Sequence, residues 1–534
     1  MPSLGALRIG IVALFALVGA SPEDRLPLRV LYASEPGTEY TAGWKKFLEE
    51  HVAEVRAVAH ADLTPDLVQA FDVLVIDGEL QDGGQYKTKD DRMSLPLRLS
   101  QLQGHPVLLM GGVGGQVSTA WWLAGSWGIY GCHCLAPWLV VPPGERPAVM
   151  RTPFAIDEET QRRAAPKSYV EHDPDTPAEL DVLHVFDPDP VEPGYVTRGD
   201  FRALPDAEWI ASGINSKSAG HAAILRHGSF VLWGFHGPAA TLTSAGRKLF
   251  LNSLAYAHGQ KGRMVENLRL AAPREELLVF FRRVAPTVER AERAERLEWL
   301  LVPGFPDSVL DDPATVQAWF EKARGTLRMP PGGYGFAIDA ECAELGLSND
   351  SPKLLEVLAQ RLAKTPDDTT ANTLLRRYVR DAPAEGAAAW LEANRVRMYF
   401  TDVGGYVWKL QGERVDTLRP LRVSALPPDH PLRVSGAASE DELVIDLDLR
   451  AGWHLYARAE EKFRPLAITV EPKSNYDLGT FALPADKSGR LTGKVRVSVP
   501  LVRKFVGAGL AVEISFQACD ADSCRPPEQV RLER

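Results

Sequence analysis

Cysteine is scarce in this chain, with five residues in 534. Small domains that depend on disulfide staples carry many more. Stability must therefore come from apolar burial, and each thiol invites a separate explanation. A basic excess is also missing. The 60 Lys and Arg are outnumbered by 70 Asp and Glu, for a formal net charge of −10. That excludes the cationic patch a nucleic-acid binder needs, and it gives no support to an anionic membrane surface as partner. Past residue 20 no apolar run approaches the roughly 20 residues of a spanning helix, so no transmembrane span is expected there. No clean internal repeat stands out, which leaves a helical bundle or spacer favoured over a solenoid.

What is present begins with a targeting signal. Arg8 supplies a positive start, residues 9–20 are apolar, and Val18, Gly19 and Ala20 fit the small-residue rule for cleavage before Ser21. The pattern predicts a signal peptide over 1–20 and a periplasmic or secreted mature protein. A chain of this length exceeds one hydrophobic core, so several domains are expected.

Residues 27–260 read as α/β. Short β-rich runs at 28–33, 55–60, 73–77, 106–110 and 230–235 alternate with helical stretches at 40–55 and 244–256. This order predicts a doubly wound, flavodoxin-like parallel sheet. The Pro-, Asp- and Glu-rich stretch at 150–205 reads as an insertion over the sheet's edge or mouth. Residues 265–410 read as all-α. Ser351 and Pro352 form an N-cap and first-turn pair, followed by a Leu354, Leu358, Leu362 stripe at helical spacing. Residues 411–430 read as a linker. From 431 to 534 the period becomes two. Leu443, Ile445, Leu447 and Leu449 alternate with polar or less buried positions, as do Val495, Val497 and Val499, and Val512, Ile514 and Phe516. Strands with one dry face predict an antiparallel β-sandwich.

Four cysteines come as close pairs, Cys132 with Cys134 and Cys519 with Cys524; Cys342 reads as a buried small apolar residue. Four turn formers separate Cys519 from Cys524, and such a turn can bring two Cα atoms within disulfide range. Parity puts Cys519 on the wet face beside Gln517. A plain hairpin would pair Ile514 with Gln529, so a bulge is expected near Pro526 and Pro527. As a staple, so short a loop is worth only about 2 kcal/mol. Exposure would instead suit thiol–disulfide exchange. Both roles stay open on the residues alone. Two cysteines with no nearby histidine are too few for a metal, and no metal or cofactor is expected. Cys132 and Cys134 read as two buried thiols.

The carboxyl-terminal segment resembles the amino-terminal periplasmic domain of DsbD-type thiol:disulfide interchange proteins. The resemblance rests on Gly452-Trp453-His454-Leu455-Tyr456, the 465–468 and 499–501 strands, and the Phe516-Gln517-Ala518-Cys519 and Cys524-Arg525-Pro526-Pro527 ending. It implies an immunoglobulin-like fold, Cys519 and Cys524 as the redox pair, and a periplasmic or membrane thiol–disulfide partner protein. It also implies an aromatic cap, for which Phe463, Tyr476 and Phe481 are candidates.

Gly111-Gly112-Val113-Gly114-Gly115, together with the Phe230–Gly237 stretch, resembles the nucleophile elbow of class I glutamine-amidotransferase-like and ThuA-like domains. Val113 stands where the amidotransferases carry their cysteine, and a valine cannot attack, so amidotransferase activity is not expected. Such elbows lie where open α/β sheets bind ligands. Gly111, Gly114, Gly115, Glu79 and His236 are therefore candidate ligand-binding residues, with His221 nearby. The reading that results is an exported thiol–disulfide exchange module fused to a silent α/β domain. Its alternatives are a non-enzymatic binding or scaffold protein with a structural disulfide, and a ThuA-like carbohydrate-related domain.

Overall fold

The computed structural model describes residues 25–78, 95–126, 131–173, 175–275, 287–298, 311–329, 336–383, 385–458, 463–472, 474–504 and 509–534. Residues 1–20 and Glu79 lie outside them. Among the described residues no helix is long and apolar enough to cross a membrane.

The amino-terminal sheet has eleven strands. Its parallel core runs in the order Val52–Val58, Leu26–Ala33, Val73–Ile76, Val107–Met110 and Phe230–Trp233. The last three of these are buried along their whole length, as expected when both faces of a sheet are covered. Two apolar clusters lie on those faces, one around Trp44, Trp233 and Phe250, the other around Val113, Leu232 and Val265.

The sheet is mixed where the sequence pattern predicts a parallel one throughout. Beyond Phe230–Trp233 the remaining strands pair antiparallel. The 150–205 stretch is likewise no insertion over the edge. It contributes Gln161–Ala164, Glu179–His184 and Gly194–Arg198 to the same sheet. Its outermost strand is exposed throughout and pairs Arg162 with Glu179 at 3.1 Å. Charged edge strands resist aggregation, and their lack of apolar alternation hides them from periodicity.

The next region is helical with two short ladders. Helix Pro352–Lys364 starts at Ser351, whose side chain accepts from the Lys353 N–H, and it buries Leu354, Leu358 and Leu362. The all-α expectation misses Leu327–Arg328 with Ala337–Ile338, and Met398–Thr401 with Val407–Leu410. Two-residue and four-residue strands leave too little pattern to read.

Buried charges join this region to the sheet. Arg274 bonds Asp402 at 2.9 Å, Asp350 at 3.1 Å and Asn349 at 2.9 Å. Asp206 pairs with His227 at 3.0 Å and accepts from the Glu266 and Asn267 N–H groups at 2.6 and 3.1 Å. Burial opposes ionisation of Asp206, but His227 and the two N–H groups outweigh it and pull the carboxyl down to about 2. A depressed carboxyl stabilises the fold above the unfolded-state pKa, and that stability is lost as pH falls toward 2. Asp206→Asn should therefore cost about 2–3 kcal/mol at pH 7 and flatten the acid limb between pH 4 and 2, measured by urea unfolding.

The carboxyl-terminal region is two facing antiparallel sheets of five and four strands, plus a short ladder of His454–Tyr456 with Arg490–Thr492. The alternation read from the sequence is the observed one: Leu443, Ile445, Val497, Val499, Val512, Ile514 and Phe516 are all at most 1% exposed. Arg419–Pro420 and Arg422–Val423 attach one to each sheet, so the chain stitches both together as it arrives.

Candidate functional site

The cysteine pair sits at the tip of the sandwich. Strand Ala511–Phe516 pairs with Glu528–Glu533 so that Ile514 faces Val530 and Phe516 faces Glu528. Cys519 nevertheless faces Cys524. Cys519 lies three positions after Phe516, while Glu528 lies four after Cys524, so the second strand carries one extra residue. This is the bulge, at Arg525–Pro527, and it falls where two prolines cannot donate to a ladder. Gln517 fills the gap. Its amide donates to the Arg525 carbonyl at 2.9 Å and its oxygen accepts from the Arg464 N–H at 3.0 Å.

Cys519 and Cys524 are disulfide-bonded with Cα atoms 4.0 Å apart. The Asp520 N–H donates to the Ser523 carbonyl and the Arg525 N–H to the Ala518 carbonyl, both at 2.9 Å. These bonds flank the pair and make it a non-hydrogen-bonded one, the closer of the two antiparallel spacings. That accounts for a separation below the usual disulfide range of about 4.4–6.8 Å.

The exposure of Cys519 overturns the parity expectation. It is 1% exposed, and Cys524 is half-buried. Regular alternation runs through Ala518 and lapses at Cys519, so Ala518 and Cys519 are buried in succession. Cys519 then joins a third strand, exchanging backbone bonds of 2.9 and 3.0 Å with His454. His454, Cys519 and Cys524 thus stand in a row across the tip, with side chains on one face.

The Gly452–Tyr456 motif builds the cover. Gly452 has φ +86, a turn conformation that suits glycine. It aims His454–Tyr456 across the tip, where Tyr456 stacks on Phe463 at 4.7 Å with planes 4° apart. The neighbour of Phe463, Arg464, is tied to Gln517, two residues before Cys519. Tyr476 is no cap: it is 3% exposed and its hydroxyl bonds Glu440 at 2.9 Å, at the other end of the sandwich. Phe481 packs against the sandwich core. Inside the turn, the Asp520 carboxylate accepts from the Asp522 and Ser523 N–H groups at 2.9 and 2.7 Å. Those bonds hold its carboxyl below the usual range, so an anion stays next to the bridge.

The α/β mouth gathers a second set. Helix Gly111–Ala120 follows its strand without a break. Gly111 has φ +64, and a Cβ there would meet the Gly78 oxygen at 2.6 Å. Gly114 lies so close to the Leu109 backbone that a Cβ would meet it at 2.7 Å, and Gly115 is buried with it. Val113 packs onto Gly78, its N–H donating to the Gly78 carbonyl at 3.1 Å. The mouth also contains residues that sequence reasoning missed. Asp77 is fully buried and accepts from Tyr32 Oη at 2.7 Å and the Gly78 N–H at 2.7 Å, with Tyr40 Oη 3.4 Å away. His236 stacks on Tyr40 at 5.3 Å, and burial lowers its pKa to about 4, so it is neutral at pH 7. An aspartate ending an apolar strand was the available signal. His221 bonds Ser218 at 2.9 Å and faces Arg198 in its ladder, apart from this set.

The other thiols are free. Burial and the adjoining Cys134 push Cys132 up to about 12, and burial with Asp339 pushes Cys342 up to about 12. Both are protonated and poorly nucleophilic at neutral pH. Cys132 and Cys134 are half-buried rather than fully enclosed.

Residues 422–533 match the protein family described as thiol:disulfide interchange protein DsbD, N-terminal. Among solved structures, the chain is similar to the DsbD N-terminal domain of Neisseria meningitidis in its reduced form: 18% identity, 20% of this chain, 88% of that one, TM-score 0.15. A complex of the DsbD and PilB N-terminal domains from the same organism matches at 19% identity, covering 21% and 87%, with TM-score 0.16. A Thermoplasma acidophilum protein described as belonging to a GMP synthase matches at 16% identity over 43% of this chain and 95% of that one, with TM-score 0.21. No curated protein matches the chain.

Proposed function

We propose that the sandwich is a thiol–disulfide exchange module working through Cys519 and Cys524 in an oxidising, extracytoplasmic compartment. The observation that carries this reading is a bridged pair at an open tip, inside the region matching the DsbD N-terminal family. A partner thiolate attacks the Sγ of Cys524, the more exposed of the two residues. The Cys519–Cys524 bond breaks and its electron pair goes to Cys519 Sγ, leaving a mixed disulfide at Cys524. The partner's second thiolate then attacks its own sulfur in that mixed disulfide. This releases an oxidised partner and leaves Cys519 and Cys524 reduced, so two electrons have entered the module. His454, in register with Cys519, borders the departing thiolate. The stacked Tyr456 and Phe463 limit access to one side. The partner would be a dithiol protein, such as the domain that a DsbD N-terminal domain meets in the PilB complex.

Equilibrating the full chain with dithiothreitol buffers and counting alkylated cysteines by mass gives the test. An exchange pair should show a potential above about −300 mV; a lower one marks a structural staple.

A second reading is favoured by the buried Asp77, Tyr32, Tyr40 and His236 set at the carboxyl ends of parallel strands. We propose that Gly111, Gly114, Gly115 and His236 border a binding site for a small polar ligand, used without nucleophilic chemistry. A compound from a polar-metabolite panel should raise the melting temperature of the chain, and that rise should vanish in His236→Phe. A panel without any such compound would overturn the reading.

A further inference from the structure

Opposite the cysteine tip, the sandwich meets the helical region through a crowd of charges. Glu440 sits on the turn before strand Glu442–Leu449, its N–H donating to the Val415 carbonyl at 3.1 Å. Arg503 pairs with it, and Arg534 bonds it at 2.9 Å. Arg380, from the end of helix Thr369–Tyr378, and Lys409, from the Val407–Leu410 strand, lie near the same carboxylate. Four cations therefore share Glu440.

Asp381 also acts on Lys409 and Arg534, but it is shared. Asp381 and Glu413 both serve Arg419, Glu413 at 2.9 Å. Burial and the neighbouring Asp381 push the Glu413 carboxyl up. Arg380 has no hydrogen-bond or ion-pair partner among the described residues, and Lys409 Nζ donates only to the Glu266 carbonyl, at 3.2 Å. Burial lowers the pKa of both, and the nearby carboxylates only partly oppose it.

Between these groups lies a cavity of about 20 Å³, bordered by Arg380, Lys409, Arg534, Asp381 and Glu440. That is room for one water-sized occupant. Arg380 and Lys409 are half-buried, and cations partly withdrawn from water are costly unless a charge compensates them. We propose that this cavity is a binding site for a small inorganic monoanion of chloride size, held chiefly by Arg380 and Lys409. A dianion such as sulfate would be repelled by Asp381 and Glu440 more strongly than a monoanion. Because the site draws on the helical region, the hairpin and the sandwich together, its occupant locks their mutual docking.

Thermal unfolding of the full chain in sodium chloride, against sodium gluconate at equal ionic strength, tests this. Chloride should raise the melting temperature saturably, gluconate should not, and Arg380→Gln should remove the difference. Equal melting temperatures in the two salts, or an undiminished chloride effect in Arg380→Gln, would overturn the proposal. Should that variant not fold, crystals of the unaltered chain in sodium bromide decide: an anomalous peak between Arg380 and Lys409 supports the site, and a cavity holding only water sinks it.

Discussion

A Cys519→Ser chain should accumulate a covalent adduct with a single-cysteine thioredoxin-like partner supplied as its mixed disulfide with thionitrobenzoate, and a Cys524→Ser chain should accumulate none. The asymmetry follows from burial. An attacking thiolate needs a line of approach to sulfur, and only Cys524 is more than 1% exposed. In Cys519→Ser the Cys524 thiolate attacks the partner's sulfur and thionitrobenzoate leaves with the electron pair; with no Cys519 thiol to attack it, the mixed disulfide at Cys524 persists. Replacing Cys524 leaves only a cysteine that is 1% exposed, beside the His454 strand. Steady-state exchange should fall at least about 100-fold in either variant, because each lacks a two-electron couple. Non-reducing gels with that activated partner give the readout. Equal trapping at both positions would show that the tip opens widely in solution. Trapping at neither would leave the bridge as a staple, worth about 2 kcal/mol.

The larger stability effect is expected far from the sulfur. Burial opposes ionisation of Glu440, but Arg503, Arg534 and Lys409 outweigh it and hold its carboxyl well below the usual range. Glu440→Gln keeps the shape and removes the charge. Arg503, Arg534, Arg380 and Lys409 then face one another with no shared counter-ion. Breaking a buried pair in this way costs about 3–5 kcal/mol. Tyr476, whose hydroxyl bonds the same carboxylate, loses an acceptor too. The sign with pH follows from the depressed carboxyl: the contribution is complete above the unfolded-state value and fades only as pH falls below it. Urea unfolding at pH 7 measures the loss, and a change within about 0.5 kcal/mol would show that solvent already neutralises the cluster.

The sandwich was legible because its strands are long and one-sided. Leu443 to Leu449 alternates over enough residues to give both faces and the register. Even the bulge was readable, since the positions of Val530 and Leu532 are incompatible with a plain hairpin. The burial of Cys519 was not. It depends on His454, 65 residues earlier, bonding the chain where alternation lapses. The Pro-rich 150–205 stretch failed for a related reason: an exposed edge strand such as Gln161–Ala164 has no apolar face to betray it. Asp77 with Tyr32, and Glu440 with Arg534, are pairings between distant segments, and no local pattern announces them.

Strand Glu442–Leu449 runs from the charged turn to the tip, roughly 25 Å at ordinary strand rise. One end of this rod is clamped and the other is free. A visiting protein can therefore dock, exchange and depart without disturbing the anchorage, and alterations at either extremity should be inherited separately by engineered variants.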